Sequence, residues 1–115
     1  MKKIRQYYKL SQIISHFHDT RGFGLANVVA ALDEGVVKFD ASIRGLGGCP
    51  YAPGASGNIA TEDCINLLES MGYKTFINKE NLQTLCQSIP NWLPNEHLHG
   101  KFLSSITTNE QSNKT

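Results

Sequence analysis

The chain has almost no excess of either charge sign: eleven Lys and Arg stand against ten Asp and Glu, a formal net charge of +1. That balance leaves no basic footprint for nucleic acid or for an anionic membrane surface, and neither is expected as a partner. Long apolar runs are missing too, none approaching the roughly 20 residues that cross a bilayer. The first nine residues, Met-Lys-Lys-Ile-Arg-Gln-Tyr-Tyr-Lys, lack the apolar segment of a secretory signal. A soluble, cytoplasmic chain is the expectation, with an organellar source left open. Cysteine is scarce, and Cys49, Cys64 and Cys86 are an odd number at unrelated spacings. This argues against a disulfide framework or a Cys-rich zinc site and fits a reducing compartment. Internal repeats and low-complexity tracts are absent, and 115 residues allow one small domain with a modest core.

What is present reads as alternating strands and helices. Residues 1–9 look like a helix end or a surface lead-in. Leu10 to His18 alternate, with Ile14, His16 and His18 on one face and Ile13, Ser15 and Phe17 on the other, which predicts a strand. Both faces are apolar until the histidines, as in a covered parallel sheet. Leu25, Val28, Val29 and Leu32 then recur at helical spacing until Gly35, a C-cap residue, and Val36 to Ile43 predict a second strand. Strand, helix, strand makes a βαβ unit with parallel strands and a right-handed crossover. A helix from Ala60 to Met71 follows, with Glu62 and Asp63 in its first turn, and Gly72 ends it. A last helix starts at an Asn78 cap and runs through Leu82, Leu85, Cys86 and Ile89 to a break at Pro90. Trp92, between two prolines, reads as a packing anchor for the C-terminal segment. Residues 1–103 form the structured portion, and 104–115 read as a disordered tail. Two strands with both faces apolar cannot satisfy themselves, so the chain is expected to be a piece of a larger α/β protein.

Three places could carry chemistry. In His16-Phe17-His18, at the C-terminal end of the first strand, both imidazoles point the same way, and this is the end where parallel β/α sheets place their sites. The pair reads as metal ligands, against a structural or incidental alternative. Asn58 reads either as a cap or turn-pinning amide, or as a third ligand whose oxygen faces a hard cation. Two histidines and an amide oxygen with open positions suit Mg²⁺ or Mn²⁺ better than a closed zinc site. Between them lies GLGGCPYAPGASGN, residues 45–58, with five glycines, two prolines and Cys49, a thiol placed to act as acid, base or nucleophile if its pKa is tuned. Cys64 and Cys86 fall on apolar helix stripes and read as core. His97-Leu98-His99 follows Pro94 in a polar segment and reads as surface.

The stretches HFHDTRGFGLANV, residues 16–28, and GLGGCPYAPGASGNIATED, residues 45–63, closely resemble the last part of the hydroxymethylglutaryl-CoA lyases. The likeness spans residues 12–82. The wider family of metal-dependent lyases and Claisen-type synthases shares the His-x-His strand, but its synthases carry a glycine, glutamate and arginine pattern in place of this cysteine loop. The resemblance implies an α/β fold that is an incomplete TIM barrel: the seventh and eighth strands as a βαβ unit, plus C-terminal helices. It implies His16, His18 and Asn58 as metal ligands for Mg²⁺ or Mn²⁺, with Cys49 as a catalytic residue on a flexible loop. His16 would also take part in proton transfer, and Glu62 would orient Asn58. The implied reaction cleaves 3-hydroxy-3-methylglutaryl-CoA, an acyl-CoA substrate, to acetoacetate and acetyl-CoA.

The six preceding strands, with the family's first-strand arginine and aspartate and its second-strand glutamate, have no counterpart in this sequence. The isolated chain is therefore expected to be inactive, with the missing barrel part or a second copy as its partner. The alternatives are a non-enzymatic remnant or binding module, and a lyase for another 3-hydroxyacyl-CoA.

Overall fold

The computed structural model describes residues 7–47 and 57–100. Two short strands, β1 (Ser15–His16) and β2 (Phe39–Asp40), pair in parallel, with Ser15 opposite Phe39 and His16 opposite Asp40. Between them runs α1 (Gly24–Asp33), and after them come α2 (Thr61–Ser70) and α3 (Lys79–Trp92). The strand, helix, strand order and the parallel pairing are as the sequence implies.

Both strands are shorter than their apolar patterns. Leu10–Gln12 forms a 3-10 turn instead of extending β1. The Gln12 side chain accepts the Lys9 N–H at 3.0 Å, and the Leu10 methyls pack so close to Gly35 that a Cβ there would sit 2.8 Å away. Gly35 itself has φ +93°, as its place after α1 requires. At the other side, Val36 is still tied to the helix through its N–H to Ala31 O, and Ile43 enters a second 3-10 turn, Ile43–Gly45. Only the middle of each run is free to pair.

The alternation expected along β1 is present. Ile13 and Ser15 are buried, Phe17 is half-buried, and Ile14, His16 and His18 are exposed. α1 covers the first face: Ile13, Ala31 and Val36 form one cluster, and Val28, Ile59 and Cys64 a second, with Phe17 and Phe39 touching both. The other face is open, with Ile14 65% exposed, so the covering of both faces that the apolar pattern suggested is not met by the described residues. Ile65, Leu82 and Cys86 make a third cluster that joins α2 to α3.

The α2 to α3 connection is held by Lys79 against Glu69, with the Thr75 hydroxyl donating to the same carboxylate at 3.2 Å. These contacts, the Lys79 bond first, hold the Glu69 carboxyl below its ordinary range. The Asn78 cap is present, its side chain accepting the Asn81 N–H.

The break expected at Pro90 does not occur, and α3 continues to Trp92. A proline in a helix interior leaves the carbonyl four residues earlier without its N–H. That carbonyl belongs to Cys86, and the Arg44 guanidinium donates to it at 3.4 Å. Trp92 is 63% exposed, more open than a packing anchor, because the uninterrupted helix carries it onto the outer side. The lead-in at residues 1–6 and the expected tail at 104–115 lie outside the described residues.

One contact is tight enough to test the packing. Gly24 opens α1 directly against Ile59, which is 2% exposed, and its N–H is capped by Asp19 Oδ1 at 2.9 Å. A methyl group there would collide with Ile59 Cγ2 and lie 3.0 Å from Asp19 Oδ1. Gly24→Ala, a change that ordinarily favours a helix, is expected to destabilise by about 1–3 kcal/mol, read as a lower urea midpoint at constant slope.

Candidate metal centre

The open face of β1 is where the candidate ligands stand. His16 and His18 have ring centroids 5.2 Å apart at an interplanar angle of 70°. His16 sits opposite Asp40 in the strand register, and its Nδ1 is 3.2 Å from Asp40 Oδ2. With a carboxylate as acceptor the ring donates from Nδ1, which leaves the lone pair on Nε2, the form a metal-binding imidazole takes. Asp40 was missed in the sequence. Its signal was there all the same: an acid near the C-terminal end of the second strand, in parallel register with a histidine.

Asn58 is brought to the same face by the backbone. His18 and Asn58 form an antiparallel bridge, flanked by Asp19 N–H to Gly57 O at 3.1 Å and Ile59 N–H to Phe17 O at 3.2 Å. Residues paired in this way, between two hydrogen bonds, stand opposite each other with their side chains on one face. Asn58 does not cap α2, whose cap residue is Ala60. Its Nδ2 donates to Leu46 O at 2.8 Å, while its Oδ1 is buried and has no hydrogen-bond partner among the described residues. A buried amide oxygen without a donor is costly in an apo protein and is what a ligand oxygen awaiting a cation looks like. The donor set therefore fits a hard divalent ion. Among the described residues no three His, Cys, Asp or Glu side chains gather into such a site.

The Asn58 amide also ties the two ends of the glycine-rich loop. Gly47, at φ +104°, lies so close that a Cβ would be 2.8 Å from Nδ2, and a Cβ on Gly45, at φ +68°, would be 3.0 Å from Asn58 O. At these two positions both conformation and close approach require glycine. Cys49 lies outside the described residues.

Glu62 does not touch Asn58. Its buried carboxylate, 1% exposed, accepts the Arg44 backbone N–H at 3.1 Å and lies 3.7 Å from the Arg44 Nε. His99 is not on the surface: it is half-buried, its N–H donates to Arg44 O at 2.7 Å, and its ring packs beside Gly45. The polarity of residues 94–100 misled here, since Arg44 supplies partners that the local sequence does not show. His97 is exposed, as expected. Cys64 and Cys86 are buried free thiols. Burial pushes Cys64 up, and burial with the adjacent Glu62 carboxylate pushes Cys86 up to about 12. Both are core residues held as neutral thiols.

A βαβ unit that carries a His-x-His pair and an amide at the C-terminal rim of its strands has the layout on which β/α folds build their sites. The HMGL-like family description matches residues 1–89, and the chain belongs to that family. It is 57% identical over 75 residues to the hydroxymethylglutaryl-CoA lyase YngG of Bacillus subtilis, covering 65% of this chain and 25% of that protein. It is 44% identical over 93 residues to the mitochondrial hydroxymethylglutaryl-CoA lyase of Homo sapiens, covering 77% of this chain and 29% of that one. The chain thus spans about a quarter of the curated relatives it matches. The crystal structure of the Bacillus subtilis HMG-CoA lyase superposes with a TM-score of 0.84 at 43% identity, over 92% of this chain and 35% of that chain. An Acinetobacter baumannii HMG-CoA lyase in complex with coenzyme A and 3-methylmalate gives 0.78 at 44% identity, over 90% and 33%.

The two core thiols give a check on this packing. In a Cys49→Ser variant at pH 8, Ellman's reagent is expected to find no reactive thiol in the folded chain and two in urea. Raised thiol pKa values keep the thiolate fraction small below about pH 9, so reaction should stay slow until unfolding.

Proposed function

We propose that the chain supplies part of the active-site rim of a divalent-metal-dependent lyase that cleaves 3-hydroxy-3-methylglutaryl-CoA to acetoacetate and acetyl-CoA, as the seventh and eighth β/α units of a TIM barrel with the helices beyond them. The observation that carries this reading is the buried Asn58 Oδ1, without a hydrogen-bond partner among the described residues, on the face shared with His16 and His18. The names of the relatives support it, and so does the neighbour solved with coenzyme A and 3-methylmalate. The open face of β1 and β2, with Ile14 exposed, is the surface the rest of such a barrel would cover.

His16 Nε2, His18 and Asn58 Oδ1 would hold the ion, Mg²⁺ or Mn²⁺. When bound, it would lower the pKa of the substrate's tertiary hydroxyl and orient the bond to be broken. With Nδ1 bonded to Asp40 and Nε2 facing the ion, His16 would orient the site rather than take a proton, and the hydroxyl proton would pass to a base supplied by the rest of the barrel as the carbon–carbon bond opens. Cys49, two residues beyond Gly47 on the glycine-rich loop, would return a proton to the departing acetyl-CoA enolate while the loop excludes water. One relative, from Pseudomonas aeruginosa, is named as a 3-hydroxy-3-isohexenylglutaryl-CoA/hydroxy-methylglutaryl-CoA lyase and is 47% identical over 78 residues, so a second 3-hydroxyacyl-CoA belongs in the same assay.

The test grafts this chain in place of the matching segment of the Bacillus subtilis relative and measures acetoacetate release with Mg²⁺ or Mn²⁺. The chimera is expected to be active. His16→Ala, Asn58→Ala and Cys49→Ala are each expected to lower kcat by at least about 100-fold, and the 115-residue chain alone should release none. A folded chimera that stays inactive, or one indifferent to Cys49→Ala, would sink the reading.

A further inference from the structure

We propose that Arg44 is a positioning residue: its left-handed backbone, clamped by Glu62 and His99, fixes the Leu46 carbonyl and thereby the direction of the Asn58 amide. Only the consequence at the metal rests on the reading of Asn58 as a ligand.

Arg44 has φ 55° and ψ 20°, a conformation that residues with a Cβ adopt only when their surroundings impose it. The clamp that imposes it is visible on both sides of the residue. The N–H is taken by Glu62 Oε1 at 3.1 Å, and the C=O is taken by the His99 N–H at 2.7 Å. The guanidinium anchors the same residue to the body of the protein. Nε donates to His99 O at 2.7 Å, and Nη1 donates to Cys86 O at 3.4 Å, the carbonyl left over by Pro90. Three elements distant in sequence thus converge on one residue at the start of the loop.

The next turn transmits this placement. Gly45 N–H bonds Ser42 O at 3.0 Å and Leu46 N–H bonds Ile43 O at 3.2 Å, so Leu46 O has a fixed position when it accepts Asn58 Nδ2 at 2.8 Å. A carboxamide is nearly symmetric in shape, and only its hydrogen bonds decide which end carries the nitrogen. Leu46 O selects the nitrogen, so Oδ1 takes the other direction. Glu62 therefore acts on Asn58 at one remove, through the backbone of Arg44 to Leu46.

The experiment uses the ¹⁵N-labelled 115-residue chain. It records amide exchange at Gly45 and Leu46, the side-chain NH₂ signals of Asn58, and Mn²⁺ affinity by electron paramagnetic resonance. Glu62→Ala removes the acceptor for the Arg44 N–H. Arg44→Gly keeps the left-handed conformation accessible without the guanidinium, and it serves if Glu62→Ala does not fold. Glu62→Gln retains an acceptor oxygen. The first two are expected to speed exchange at Gly45 and Leu46 about tenfold, to collapse the separation of the Asn58 NH₂ signals, and to weaken Mn²⁺ binding about tenfold. Protection at Ile65 should be unchanged, and Glu62→Gln should restore all three readouts. Unchanged exchange and Asn58 signals in Arg44→Gly would overturn the proposal, and so would a loss of protection that is uniform through α2. If the wild-type chain binds no Mn²⁺, the metal reading of Asn58 fails, and the exchange data alone then decide whether the clamp exists.

Discussion

The structure depends on one short stretch of backbone, Gly57 to Thr61, being hydrogen-bonded to the ends of both strands. Gly57 O takes the Asp19 N–H and Ile59 N–H reaches Phe17 O, while Ile59 O and Thr61 N–H hold Ser42 from its two sides. Two strands of two paired residues each are far too short to persist by themselves. The third stretch lies across both of them and turns a marginal pair into a rim. It also buries Ile59 under Gly24 and against Val28, which is why the opening of α1 has no room for a side chain. The site is a by-product of the same bonds, since they set Asn58 opposite His18.

A second constraint is the burial of charge beside this rim. Removing a carboxylate from water costs several kcal/mol unless it is paired and hydrogen-bonded. Glu62 is buried with the Arg44 N–H on one oxygen and the guanidinium near the other. Arg44 in turn tolerates its left-handed backbone because its N–H and its C=O are both taken. Pro90 contributes without touching any of them. By lacking an N–H it frees the Cys86 carbonyl, and so a residue that ordinarily breaks helices supplies an acceptor for the guanidinium while the helix continues.

Legibility in the sequence followed the range of the interactions. The three helices, the Asn78 cap, Gly35 and Gly72 as terminators, and the parallel βαβ order are local or nearly local, and each could be read from spacing and residue type. The shared face of His16 and His18 followed from strand alternation alone. Strand lengths could not be read, because Leu10 turns under Gly35 and Ile43 is diverted by Gly57 to Thr61, both tertiary effects. Asp40 as the partner of His16 needed the register. Glu62 looked like a first-turn acid serving the helix dipole, and His99 like a surface residue, because the Arg44 that engages both lies 18 and 55 residues away in sequence.

The three candidate donors are aimed by three different means, and this difference has a functional meaning. His16 is set by a side chain on the neighbouring strand, His18 by a backbone bridge, and Asn58 by a carbonyl of the glycine-rich loop. The first belongs to the paired strands and is independent of the loop, and the second is bridged to Asn58 at the loop's far end. The third is shared: the Leu46 carbonyl that orients the amide is part of the segment leading to Cys49. Any movement of the loop that displaces Leu46 would therefore also change the direction of Asn58 Oδ1. A cation held partly by that oxygen would favour the loop position that presents it, and by linkage the loop in that position would favour the cation. The entry of the loop at Leu46 and the amide at its end are thus coupled through one hydrogen bond of 2.8 Å.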